Sequence, residues 1–158
     1  MRIDRNKIGL ILLGLYFVQY FYTLKFDFLE NLQSDSTYRH WSGLVLFLLI
    51  LHQWLLPLYR VVYDMKEDVL EKKVNIHNWV GVVSPLVFFL HSANPGFGLL
   101  IILTVIFFIN YSFGLLNLID SLKQHVRILR IGIAFHILFS VTLLMLTFLH
   151  IWLVFYYN

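Results

Sequence analysis

Seven histidines stand in a chain of 158 residues that is 59% hydrophobic and 18% aromatic, and four of them are spaced as matched pairs. His77 and His91 are 14 positions apart, and so are His136 and His150. At ~100° per residue, fourteen steps miss a whole number of helical turns by about 40°, so each pair shares one helix face. At ~1.5 Å per residue, the two members lie ~21 Å apart along the axis. An imidazole in an apolar segment is costly and usually marks a functional site. Neutral imidazole is also a good ligand for iron.

The elements that must position these residues are membrane-spanning helices. The mean hydropathy is +0.76, and the apolar stretches approach the ~20 residues that cross a ~30 Å hydrocarbon core. Five spans are expected, at about 8–24, 41–59, 76–91, 97–119 and 130–156. The fold class is an all-α integral membrane protein, a single helical domain over 1–158. The third helix is expected to extend backwards through Asp68–Asn75, where helix formers carry paired charges such as Asp68 and Lys72. Ser92-Ala93-Asn94-Pro95-Gly96 has the chemistry of a tight turn. No signal-peptide pattern precedes the first span, which reads as retained.

Charge gives the orientation. With a cytoplasmic N-terminus, only Lys25 and Arg39 of the twelve Lys and Arg residues fall outside, a strong positive-inside bias. The net charge of +3 is then a consequence of topology and gives no support to nucleic-acid binding. The expected location is a bacterial inner membrane, with the mitochondrial inner membrane as the alternative.

One hairpin separates the third and fifth spans, so they run in the same direction. His77 is then level with His136 near the cytoplasmic side, and His91 with His150 near the outer side. Two levels, each with two imidazoles, suit two six-coordinate haems stacked across a membrane. A porphyrin between helices would also cover ring nitrogens that lipid leaves unsatisfied. Gly81, four residues after His77, and Gly132, four before His136, lie on the same faces and would let a flat macrocycle approach the backbone. Ser84-Pro85 is a candidate kink between the levels. The competing reading is that these histidines bridge helices by hydrogen bonds. Zinc and di-iron sites fit less well, because they want ligands within one or two turns and the spans hold no carboxylate partners.

The absence of cysteine rules out thiolate-bound iron–sulfur clusters, covalent haem attachment, disulfides and a thiol nucleophile. The chain has no G-x-G-x-x-G and no P-loop. Nicotinamide or flavin chemistry would have to come from another chain.

Histidine pairs separated by thirteen residues on two helices resemble the di-haem cytochromes b. Their placement on the third and fifth spans is similar to the transmembrane domain of the ferric reductase family, over roughly residues 39–158. The resemblance implies that His77, His91, His136 and His150 ligate two b haems. Members of that family usually have six spans, against five here, and many carry a fused flavin and nicotinamide module. The expected role is therefore an electron-transfer subunit of an oxidoreductase, not a complete enzyme.

Arg39, Arg127 and Arg130 lie at the levels where haem propionates would emerge, and guanidinium pairs with carboxylates bidentately; membrane anchoring is the other reading for Arg127 and Arg130. His52 is a candidate haem or quinone contact or a helix-bridging donor. His40, twelve residues before it, is rotated by about 120° and forms no same-face pair with it. Trp41-x-Gly43 before His52 echoes Trp79-x-Gly81 before His91. Asn110, Ser112 and Asn117 are quinone candidates, with helix packing as the competing explanation. Trp152, Phe155, Tyr156 and Tyr157 read as an interfacial aromatic belt. Expected partners are membrane lipid and other subunits of a redox complex, docked on Asp64–Lys73 or the aromatic C-terminal end. The alternative is a non-redox structural or assembly subunit whose histidines only bridge helices.

Overall fold

The computed structural model describes residues 4–22, 24–63, 66–117 and 125–157. Several sequence expectations fall outside them: Arg2, Asp64 in the proposed docking loop, Ile119 at the end of the fourth span, and Lys123. The described residues form six helices and no strand. They are α1 (Arg5–Phe21), α2 (Asp27–Ser34), α3 (Ser36–Val62), α4 (Glu67–His91), α5 (Leu99–Leu116) and α6 (Val126–Tyr156). Four of these, α3 to α6, are long and apolar enough to cross a membrane. Large side chains such as Ile11, Leu48, Ile102 and Met145 are exposed, a surface that hydrocarbon tolerates and water does not.

Helix boundaries follow local chemistry. The Asp4 carboxylate accepts from Asn6 N at the start of α1, and that of Asp35 from Tyr38 N (2.7 Å) at the start of α3, each satisfying an otherwise orphaned first-turn N–H. Glu67 and Asp68 stand in the first turn of α4, where negative charge suits the helix dipole. This end of α4 is the backward extension anticipated through Asp68–Asn75. After His91 the chain turns through residues 92–98 before α5. Gly96 and Gly98 adopt φ of 67° and 59°, a left-handed backbone that favours glycine.

One element was not anticipated. The short helix α2 lies between α1 and α3, with Leu29 buried and Asp27 and Glu30 in its first turn. At eight residues it is too short for the periodic apolar signal that reveals a span.

The chain divides into two compact units, residues 1–93 and 94–158, each described by itself. In the first, α1 runs parallel to α4: Arg5 Nη1 donates to Asn75 Oδ1 (2.7 Å) near one end, and Tyr16 meets Phe88 edge-on at 5.8 Å near the other. Helix α3 runs antiparallel to α4, with Gly43 against His91 and Gln53 against His77. Val82 and Pro85 are almost wholly buried. Pro85 cannot donate to the Gly81 carbonyl four residues back, and Ser84 Oγ donates to it instead at 2.7 Å. In the second unit, α5 and α6 form an antiparallel hairpin around stacked Phe113, Phe135 and Phe139, with ring centroids 5.2 to 6.2 Å apart.

Candidate functional site

Both histidines of α4 are met by α3, so they share a face, as their spacing requires. His91 is the last residue of α4. A Cβ on Gly43 would come within 3.0 Å of His91 Cε1, so glycine there lets the imidazole lie against the α3 backbone. One residue earlier, Ser42 Oγ is 3.0 Å from His91 Nδ1 and also donates to the Arg39 carbonyl at 3.3 Å. Ser42 thus holds the His91 ring at Nδ1, and a hydroxyl can serve that nitrogen as donor or as acceptor.

The end of α4 that carries His91 is clamped from outside. Gln33 of α2 donates from Nε2 to the carbonyls of Phe89 and Leu90, both at 3.0 Å, and accepts from Ala93 N at 3.2 Å. Tyr38 OH donates to Leu90 O at 2.9 Å. These bonds satisfy last-turn carbonyls that would otherwise be orphaned in a low-dielectric setting. Helix α2 therefore fixes the ladder end from which His91 projects.

His77 has a different neighbour. The Gln53 amide lies across the His77–Gly81 turn of α4. Its oxygen accepts from Gly81 N at 3.0 Å, and its nitrogen donates to His77 O at 3.3 Å and to His77 Nδ1 at 2.7 Å. The reverse orientation would set oxygen against carbonyl oxygen and N–H against N–H. A Cβ on Gly81 would lie 3.9 Å from this amide, so the surface of Gly81 is in ordinary contact with Gln53.

In the second unit, His136 Nδ1 is 3.1 Å from the Asn110 carbonyl of α5. A carbonyl only accepts, so Nδ1 carries the proton and the lone pair lies on Nε2. Gly114, one turn along α5, would bring a Cβ within 3.3 Å of His136 Cε1. The arrangement matches the one at His91: an imidazole laid on a glycine of the neighbouring helix and held at Nδ1. The Asn110 side chain accepts from Ser140 Oγ at 3.0 Å. A Cβ on Gly132 would meet Asn117 Oδ1 at 2.9 Å, and Ser112 Oγ bonds back to Phe108 O. Packing thus engages Asn110, Ser112 and Asn117, the three polar residues considered for a quinone.

His150 is half-buried on the unbroken α6. Its spacing keeps it within about 40° of the His136 face, and the antiparallel register places it opposite the first turn of α5, where Leu99, Leu100, Ile101 and Ile102 offer only apolar side chains. His52 Nδ1 is buried without a hydrogen-bond partner among the described residues. His40, His125, Arg39, Arg127 and Arg130 are exposed. No group of three or more His, Cys, Asp or Glu side chains gathers among the described residues; an iron held by two imidazoles needs no such group.

The donor set fits haem at His91 and His136. Each has Nδ1 in a hydrogen bond to the protein, the arrangement that orients metal-ligating imidazoles, and at His136 the carbonyl partner leaves the lone pair on Nε2. Neither Gly43, noted in sequence only for its Trp41-x-Gly43 echo, nor Gly114 was expected to hold a histidine ring. Their signal is relational: each is a glycine opposite a histidine on an antiparallel neighbour, and it needs the register of the hairpin to be seen. Comparison with family models, curated proteins and solved structures gives no match.

Proposed function

We propose that this chain is a membrane-embedded di-haem b-type cytochrome, ligated by His77, His91, His136 and His150, that carries electrons across the bilayer as one subunit of a redox complex. Helix α1 parallels α4 and counts as the fifth span, with the N-terminus on the cytoplasmic side of a bacterial inner membrane.

The observation that carries this reading is that matched histidine spacing coincides with anchored imidazoles. His91 and His136 are both held at Nδ1 and laid on glycine, and at His136 the lone pair lies on Nε2. Bound there, haem iron would supply one-electron redox chemistry. The chain's own part is to hold the ligands: Ser42 and the Asn110 carbonyl fix ring orientation, Gln33 and Tyr38 fix the helix end beneath His91, and the apolar helices keep water away. Arg39 and Arg130, exposed near helix ends, are candidates to pair with propionates.

A second reading has a specific observation in its favour. Gln53 donates to His77 Nδ1, which is what a purely helix-bridging histidine would accept, and it supports a structural or assembly subunit. A reduced-minus-oxidised absorbance spectrum of the purified chain separates the two. The proposal expects a b-type signal from haem that acidified acetone extracts, since no cysteine can form a thioether link. A colourless, folded preparation that takes up no haem favours the structural subunit.

A further inference from the structure

Gln53 makes His77 chemically unlike the other anchored histidines. Three atoms of α4 meet one side chain of α3: Gly81 N at 3.0 Å, His77 O at 3.3 Å and His77 Nδ1 at 2.7 Å. The amide has one acceptor and one donor end, and the two backbone atoms decide which points where. Gly81 N can only donate, so it takes the Gln53 oxygen. His77 O can only accept, so it takes the Gln53 nitrogen. The His77 ring nitrogen is on the same side as His77 O, and so it receives an N–H. An imidazole nitrogen that accepts is unprotonated, which places the proton of neutral His77 on Nε2.

We propose that Gln53 is a positioning residue that sets the tautomer of His77, holding the proton on Nε2, and that its amide must turn over before His77 can ligate through that nitrogen. In the turned orientation the amide oxygen accepts Nδ1–H and the lone pair moves to Nε2, as at His136. The cost is the pair of backbone contacts, now oxygen against His77 O and N–H against Gly81 N. Two neutral hydrogen bonds of about 0.5–1 kcal/mol each correspond to roughly 5- to 30-fold in the affinity of a His77-dependent ligand. His77 is then the weakest of the anchored sites and the last to be ligated. The ligation half of this inference rests on the function proposed above; the tautomer half does not.

The test uses the full chain in detergent micelles, haem-free, with 15N-labelled histidine, the His77 signals being identified by their loss in His77→Gln. The expected spectrum has His77 Nε2 protonated and Nδ1 unprotonated, while His136 shows the opposite pattern. Gln53→Met removes the directing amide, and Gln53→Asn, one methylene short, withdraws it; in either variant a protonated Nδ1 fraction appears at His77. Wild-type His77 already protonated on Nδ1, or a tautomer unmoved in both folded variants, would overturn the proposal. Haem titration reads the second half. Gln53→Met is expected to tighten the His77-dependent haem by roughly 5- to 30-fold, and equal affinity would overturn that half. A chain that shows the Nε2–H tautomer at His77 yet takes up no haem at any histidine leaves the role of Gln53 standing and overturns the functional proposal instead.

Discussion

Replacing Gly43 by alanine adds one methyl group at the point where α3 supports His91. The new Cβ would stand 3.0 Å from Cε1, 3.6 Å from Nδ1 and 3.7 Å from Nε2, so the ring must retreat by a few tenths of an ångström. That retreat stretches the 3.0 Å contact between Nδ1 and Ser42 Oγ towards the limit of a hydrogen bond. Interhelical bonds in membrane proteins average about 0.6 kcal/mol and reach about 1.7. Opposing this, alanine is the better helix former by about 0.8–1.0 kcal/mol. A control isolates the steric part: Gly14→Ala in α1, where a Cβ meets nothing within 4 Å, reports propensity alone. Gly43→Ala is expected to be about 1–2 kcal/mol less stable than that control predicts, read from reversible unfolding in mixed detergent and SDS micelles. Combined with Ser42→Ala, the methyl group should cost less, because the bond it strains is already gone, giving a coupling of about 0.5–1 kcal/mol. Equal effects of Gly43→Ala and Gly14→Ala, or strict additivity with Ser42→Ala, would refute the claim that Gly43 seats His91.

Gln33→Ala removes three hydrogen bonds to the end of α4 and is expected to destabilise the fold by about 1–2 kcal/mol, with faster proteolysis in the turn at residues 92–98; unchanged cleavage would show that α2 does not hold that end. Because the chain contains no cysteine, topology can be mapped with single substitutions and no background. Glu71→Cys should react with an impermeant thiol reagent only from the cytoplasmic side and Asn94→Cys only from the other, and the reverse pattern would invert the orientation.

Much of the fold was legible because its signals are local and periodic. Long apolar runs between charged loops mark α3 to α6, and the charged helix formers from Asp68 extend α4 outward. One boundary that moved is set by a cap: Asp35 starts α3 five residues before the expected span at Trp41, because an interfacial turn can be helical without being apolar. Helix α2 was missed for a related reason. Its role depends on one distant contact, Gln33 reaching the carbonyls of Phe89 and Leu90, and no sequence period encodes that.

The histidine site was partly legible. Equal spacing and a shared face on α4 followed from helix geometry, and both His77 and His91 do meet α3. What spacing could not supply was the chemistry at each ring. Ser42, the Asn110 carbonyl and Gln53 hold the rings at Nδ1, and one of these three is a backbone atom with no sequence signature. Gly81 and Gly132 were expected to face a macrocycle; the structure sets them against Gln53 and Asn117, whereas the glycines that meet histidine rings are Gly43 and Gly114. Which glycine faces which ring depends on the register between antiparallel helices, and that is a tertiary property.

The proposed function requires four histidines to hold two haems. Haem per chain, counted by the pyridine haemochrome method on the purified wild type and on His77→Ala, His91→Ala, His136→Ala and His150→Ala, tests it most directly. About two haems are expected in the wild type and about one in each variant, since loss of one axial ligand releases one haem and leaves the other. A folded wild type without haem, or variants that retain the full wild-type complement, would contradict it.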